Sequence, residues 1–228
     1  MPATSIITAS AQRRTRRTQE ERTATTRGKV IAAAIECLCR LGFAESTTAV
    51  IAEEAGTSRG AMVHHFPSKD ELLIAVVEQV LDDSLSSYGE QLRAIADPRE
   101  RLLATPALAW RGIRSPGYMA WVEIWVGTRG DASLAAKFRD SYDRVNQRAA
   151  VAMRQMAIDA GVTDLDRIER VRMLFLGAMR GLAIEAVIAG RVGRLEEAVA
   201  EMRRLFEQIV PETPSAGASA KKIARATP

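Results

Sequence analysis

The chain has 228 residues, of which 47% are apolar, 26% charged and 5% aromatic, and its net charge is +4. That balance suits a globular protein with a full core, excludes a fibrous or wholly disordered chain, and leans towards helix because Ala, Leu, Ile, Val and Arg dominate. No apolar run approaches the roughly 20 residues of a membrane span, and Ile6-Ile7 runs straight into polar and basic residues instead of an export signal core, so a cytoplasmic protein with no membrane partner is expected.

Residues 1–22 are rich in Ala, Thr, Ser and Arg, lack apolar periodicity, and read as a disordered basic arm carrying Arg13, Arg14, Arg16 and Arg17. Through Lys69 there are ten Lys/Arg against six Asp/Glu, whereas residues 70–210 hold nineteen against twenty-one. A basic N-terminal part on a slightly acidic body points to an anionic partner for the former alone.

Helices follow one another from there, with no convincing strand. Val30, Ile31, Ala34, Ile35, Leu38 and Leu41 recur at helical spacing, and Gly42 supplies the stop. Cys37 and Cys39 sit on this helix pointing different ways, which makes them reduced thiols and no disulfide framework. Ser46 or Thr47 caps a short helix with Ile51, Ala52 and Ala55 inward, ended by Gly56. Ser58 caps a second, which runs to His65 or Phe66. Ser68-Lys69-Asp70-Glu71 is a capping box that opens a long helix burying Leu72, Leu73, Val76, Val77, Val80, Leu81 and Leu85 and ending before Pro98. Pro106 and Pro116 punctuate a middle third in which Trp110, Tyr118, Trp121 and Trp125 cluster. A long helix from about Ser133 to Asp159 ends at Gly161, and two last helices are separated by a turn marked by Gly190 and Gly193. Residues 211–228 read as a second disordered tail.

The two short helices over residues 46–66 have helix-turn-helix geometry, with the second helix placed to enter the major groove. Met62 and Phe66 turn inward, while Ser58, Arg59, Ala61, Val63 and His64 face out. On spacing alone the pair also fits a helical hairpin in an all-α core, a reading favoured by the absence of further Lys or Arg on the second helix. The basic arm ahead of it shifts the balance back to DNA. His64 and His65 do not read as a metal pair, since adjacent helical residues point about 100° apart and no Cys or acid lies nearby at ligand spacing.

From about Thr23 to Leu73 the chain resembles the DNA-binding domain of the tetracycline-repressor (TetR/AcrR) family. The resemblance is carried by Leu41-Gly42-Phe43, Ser46-Thr47 before Ile51-Ala52, Ala55-Gly56-Thr57-Ser58-Arg59-Gly60, His65-Phe66 and Lys69-Asp70-Glu71-Leu72, without insertion. Ala49 and Val63 depart from it, standing where the family often has a polar and an aromatic residue. The resemblance implies an all-α fold: a helix-turn-helix domain over 23–68 and a helical effector-binding and dimerisation domain over 69–210. It implies phosphate contacts from Ser46, Thr47 and the following amides, from Lys69 and from His64. Thr57, Ser58, Arg59 and Gly60 front the recognition helix, with Arg59 placed for guanine or for a phosphate and Val63 for a thymine methyl. His65 packs inside.

The same resemblance implies a homodimer formed through the last two helices, with Phe175, Ala178, Met179, Leu182, Ala186, Met202 and Phe206 as candidates, and hence a near-palindromic double-stranded operator. Trp110, Tyr118, Trp121, Trp125, Met153, Met156 and Phe175 are candidate walls for a small apolar or aromatic effector, each of them equally readable as plain core. Glu123 and Arg129 are either polar handles there or surface pairs. No phosphate-binding Gly loop, His-Glu-x-x-His or Gly-x-Ser-x-Gly is present, so no enzyme, metal or cofactor is expected. The competing reading is a helical protein-binding adaptor without sequence-specific DNA binding.

Overall fold

A computed structural model describes the backbone of residues 4–189 and 192–211, and side chains over 24–186 and 193–211. Helix follows helix: α1 (Thr4–Glu45), α2 (Thr48–Glu54), α3 (Arg59–His65), α4 (Lys69–Arg93), α5 (Pro98–Leu103), α6 (Thr105–Ile113), α7 (Pro116–Gly127), α8 (Ala132–Asp159), α9 (Leu165–Ala189) and α10 (Val192–Glu207). The described residues contain no strand.

Helix α1 begins at Thr4, so most of the stretch read as a disordered arm has helical backbone. Good helix formers such as Gln19, Glu20 and Glu21 lead directly into the apolar face that starts at Val30. The side chains of Arg13, Arg14, Arg16 and Arg17, and the tail from Glu212 on, lie outside the described residues. At Gly42 the helix breaks with φ 75° and ψ 178°, a left-handed setting that glycine adopts without a Cβ penalty.

The chain packs as two compact units, Met1–Leu81 with Pro116–Ser141, and Asp82–Ser115 with Tyr142–Pro228. The first unit is cored by Val30, Ile31, Ala34 and Leu38 of α1, Ile51 and Ala52 of α2, Met62 of α3, and Leu72, Leu73, Val76, Val77 and Val80 of α4. Ala120, Trp121, Val122 and Ile124 of α7 complete it, and α1 packs most extensively on that helix. Ile35, Leu41, Ala55, Leu81 and Leu85, all expected inside, are only half-buried.

The second unit is cored by Leu102 and Leu103 of α5, Leu108, Trp110 and Ile113 of α6, Met153 and Ala157 of α8, Ile168, Phe175, Met179 and Ala183 of α9, and Leu195, Val199 and Phe206 of α10. Arg172 is buried there, with both arms of its guanidinium on Glu169 at 2.6 and 2.8 Å and a third bond to Asn146. Each guanidinium nitrogen finds an acceptor, the pairing that a buried charge requires. Tyr88 and Thr105 share a hydrogen bond, and burial pushes the Tyr88 phenol well above its ordinary range. Gly193, expected in the turn between the last helices, lies in the first turn of α10, while Gly190 falls outside the described residues.

Candidate DNA-reading face

Helices α2 and α3 are fixed by their own sequence. Thr47 is the cap of α2, its hydroxyl accepting from Val50 N at 3.3 Å. Gly56, at φ 61°, then closes the helix. Its N–H donates to Glu53 O and that of Thr57 reaches back to Ala52 O, the paired bonds of a Schellman turn. Ser58, two residues after the turn glycine, caps α3 by accepting from Ala61 N at 3.1 Å, so the second helix starts at Arg59. Ser68 caps α4 by accepting from Glu71 N, which is one half of the expected capping box.

Met62 and Phe66 seat α3 on the core at 1% and 3% exposure, and Arg27 lies over the Phe66 ring. The opposite face leaves Ser58, Arg59, Gly60, Val63 and His64 exposed, with Thr57 half-buried at its edge. Arg59 forms no ion pair with another described residue. Val63 is 44% exposed on this face. The rings of His64 and His65 stack with centroids 5.6 Å apart, closer than adjacent helical positions suggest, and His65 is half-buried. The described residues hold no group of three metal-ligating side chains.

Two of the phosphate contacts expected need correction. Ser46 is fully buried and its hydroxyl donates to Gly42 O at 2.7 Å, so it supports the bend after α1 and does not face a ligand. Thr47, which is exposed, keeps the helix N-terminus open to solvent. Lys69 donates to Phe43 O at 3.1 Å and sits 4.7 Å from the Phe43 ring centre. Burial holds its ammonium below the ordinary lysine range. Part of its binding capacity is therefore used inside the domain, and it is half-buried instead of a free point charge.

The family described as bacterial regulatory proteins, tetR family, matches residues 30–76, the stretch that holds both capped helices and the start of α4. Through this domain the chain is similar to the tetR family. It is 29% identical to the HTH-type transcriptional regulator CymR of Pseudomonas putida, over 75% of this chain and 84% of that one. A solved transcriptional regulator from Saccharomonospora viridis in complex with choline is 25% identical, with a TM-score of 0.60 over 81% of this chain and 95% of that one. FadR from Bacillus subtilis, solved with stearoyl-CoA, shares the fold at 18% identity, with a TM-score of 0.63 over 80% of this chain and 96% of that one. The relatives are named as transcriptional regulators, and this chain is a DNA-binding transcriptional regulator, not an enzyme.

The effector candidates fall into both units. Tyr118, Trp121 and Trp125 lie on α7 in the first. Trp121 is buried among Tyr118, Trp125 and Phe138, with ring centres at 5.2, 5.4 and 5.7 Å, while Trp125 is 39% exposed. Trp110, Met153 and Phe175 are buried in the second unit and Met156 is half-buried there. The Trp110 indole N–H has no hydrogen-bond partner among the described residues. An open groove of about 440 Å³ in the second unit, between Gly161–Ile168 and Gln208–Pro211, contains none of the seven. The half-buried Glu123 accepts from Phe43 N at 3.3 Å through one carboxylate oxygen. Arg129 is exposed.

The dimer candidates divide in the same way. Phe175, Met179 and Phe206 are buried within their own unit, Phe175 and Phe206 edge to face at 5.8 Å, so they are core and not available to a partner. Leu182, Ala186 and Met202 are half-buried and Ala178 is exposed. The open apolar positions of α9 are instead Met173 at 63%, Leu174 at 74% and Ile184 at 36%, with Gly177, Ala178 and Gly181 exposed among them. Both thiols sit above the ordinary cysteine range, chiefly through burial, and Cys39 donates to Pro116 O. No described helix is long and apolar enough to cross a membrane.

Proposed function

We propose that the protein is a ligand-responsive repressor that binds a near-palindromic operator as a homodimer in the cytoplasm and is released by a small apolar or aromatic effector. The observation that carries this reading is the outer face of α3, where Arg59, Gly60, Val63 and His64 stand exposed on a helix locked from behind by Met62 and Phe66. Arg59 pairs with guanine, Val63 meets a thymine methyl, and Thr47, His64 and the remaining capacity of Lys69 hold phosphates. The arginines of residues 13–17 add affinity without sequence choice.

In the dimer, α9 pairs with its copy through Leu174, Gly177, Ala178 and Gly181, which recur at three- and four-residue spacing and let two backbones approach. Two copies of α3 then stand about one turn of DNA apart. The relatives solved with choline and with stearoyl-CoA support a small-molecule effector, and the unpartnered indole N–H of Trp110 suits an acceptor atom on it. The effector acts by favouring a separation of the α3 copies that no longer fits the operator.

Selection of purified protein against random duplex DNA at two salt concentrations tests this. Recovery of a palindromic site supports the reading. Enrichment of nothing above nonspecific duplex, from protein refolded to strip any ligand, overturns it.

A further inference from the structure

Arg27 brings a cation to the reading head from outside the two short helices. It lies on α1 one turn before Val30 and Ile31, which are buried, and so on the same face of the helix. Its guanidinium carbon sits 5.1 Å from the centre of the Phe66 ring, and Phe66 is the C-cap of α3. The ring is a fixed platform: it is 3% exposed, and the Phe66 N–H donates to Met62 O at 2.8 Å. Arg27 itself is exposed, and it forms no ion pair with another described residue. An open cation is thus held at the C-terminal end of the recognition helix, within the first unit.

That end of α3 is where a phosphate should be met. Helix α3 has seven residues and so rises about 10 Å, while the major groove is about 12 Å wide between walls of phosphates. A helix whose first residues, Arg59 and Gly60, meet base edges brings its last residues to one wall of the groove. The partial negative charge of a helix C-terminus would repel that wall, and the Arg27 guanidinium offsets it. A guanidinium stacked on a ring keeps its N–H edge free for two oxygens of one phosphate. The platform also removes part of the rotamer freedom that a long side chain loses on binding.

We infer that Arg27 is a phosphate-binding residue of the DNA interface, and that Phe66 positions it at the C-terminal end of α3. This rests on the placement of α3 in the major groove proposed above. It adds an anchor on α1 to a contact set drawn from α2, α3 and the start of α4. The contact carries charge and no sequence information, so it strengthens the selected site and an unrelated duplex alike.

The test uses the full chain and two duplexes, the site recovered by selection and a scrambled sequence of equal length, titrated from about 50 to about 200 mM salt. Arg27→Gln should lower the slope of log affinity against log salt by about 0.9 for each subunit bound. It should weaken both duplexes by a similar factor, about fivefold per subunit at the lower salt, with base preference unchanged. Arg27→Lys, which keeps the charge and loses the fork, should restore the slope and part of the affinity. Phe66→Leu, which keeps the charge and removes the platform, should hold the slope and lose about twofold in affinity. A purely structural contact between α1 and α3 would shift melting by circular dichroism and leave the slope alone. If Phe66→Leu fails to fold, the two substitutions at the exposed Arg27 still decide. An unchanged slope in folded Arg27→Gln, or a loss confined to the selected site, overturns the phosphate contact. Wild-type protein that binds neither duplex overturns the DNA reading itself, an outcome that the variants do not produce.

Discussion

The two capped helices of the reading head and the two last helices of the second unit are built on different principles. Helices α2 and α3 are seven residues each, and nearly every feature that defines them is local: Thr47, Gly56 and Ser58 act on backbone groups no more than a few residues away. Helices α9 and α10 are 25 and 16 residues, and the faces they bury are decided by distant partners, Phe175 by Phe206 and Arg172 by Asn146 as well as its neighbour Glu169. The head can thus be read residue by residue. The second unit follows from packing, and its exposed stripe is whatever that packing leaves over.

Breaking the head should be most damaging at its single large anchor. Phe66→Ala empties a site that is 3% exposed and should cost about 3–5 kcal/mol, read as loss of the first unit's cooperative melting by circular dichroism. Next is Arg59→Ala, which leaves the fold intact and should cost about 1–3 kcal/mol of discrimination at each half-site, measured by titrating operator against base-substituted duplexes. Gly56→Ala sharpens the claim that the turn is locally encoded. No atom lies within 4 Å of the added methyl, so the whole cost, about 1–2 kcal/mol in denaturant titration, is the left-handed backbone.

The smallest effect belongs to the second unit and depends on pH. The Arg172 guanidinium, hydrogen-bonded to Glu169, holds that carboxyl below its ordinary value of 4.5. A depressed folded-state value means stability that is present above pH 4.5 and lost as pH falls through the lower one. Glu169→Gln should flatten the acid limb of the stability curve below that point and leave the head's DNA contacts unchanged. A limb identical to wild type removes the pair from the account.

These contrasts show what the sequence made legible. The caps at Ser58 and Ser68, the end of α2 at Gly56 and the punctuation at Pro98, Pro106 and Pro116 are visible because each depends on neighbours in the chain. The choice between Ser46 and Thr47 is not, since both are hydroxyl residues before a helix and only the bend at Gly42 makes Ser46 turn inward. Phe175, Met179 and Phe206 look like an interface because an apolar stripe at helical spacing is the same whether it meets its own core or another subunit. The stripe left open is built partly of Gly177, Ala178 and Gly181, which hydrophobic periodicity does not flag. The two bonds to the Phe43 backbone leave no local trace, because their partners are 26 and 80 residues away.

The tryptophans, described above as core residues and candidate walls, also make the molecule its own optical reporter. Trp121 and Trp125 belong to the first unit and Trp110 to the second. Trp125, at 39% exposure, should emit to the red and be reached by a soluble quencher, while Trp121 and Trp110, at 2% and 5%, emit to the blue and are shielded. Variants keeping a single indole would let each unit be followed by its own colour as DNA or a small molecule is added, with no dye attached.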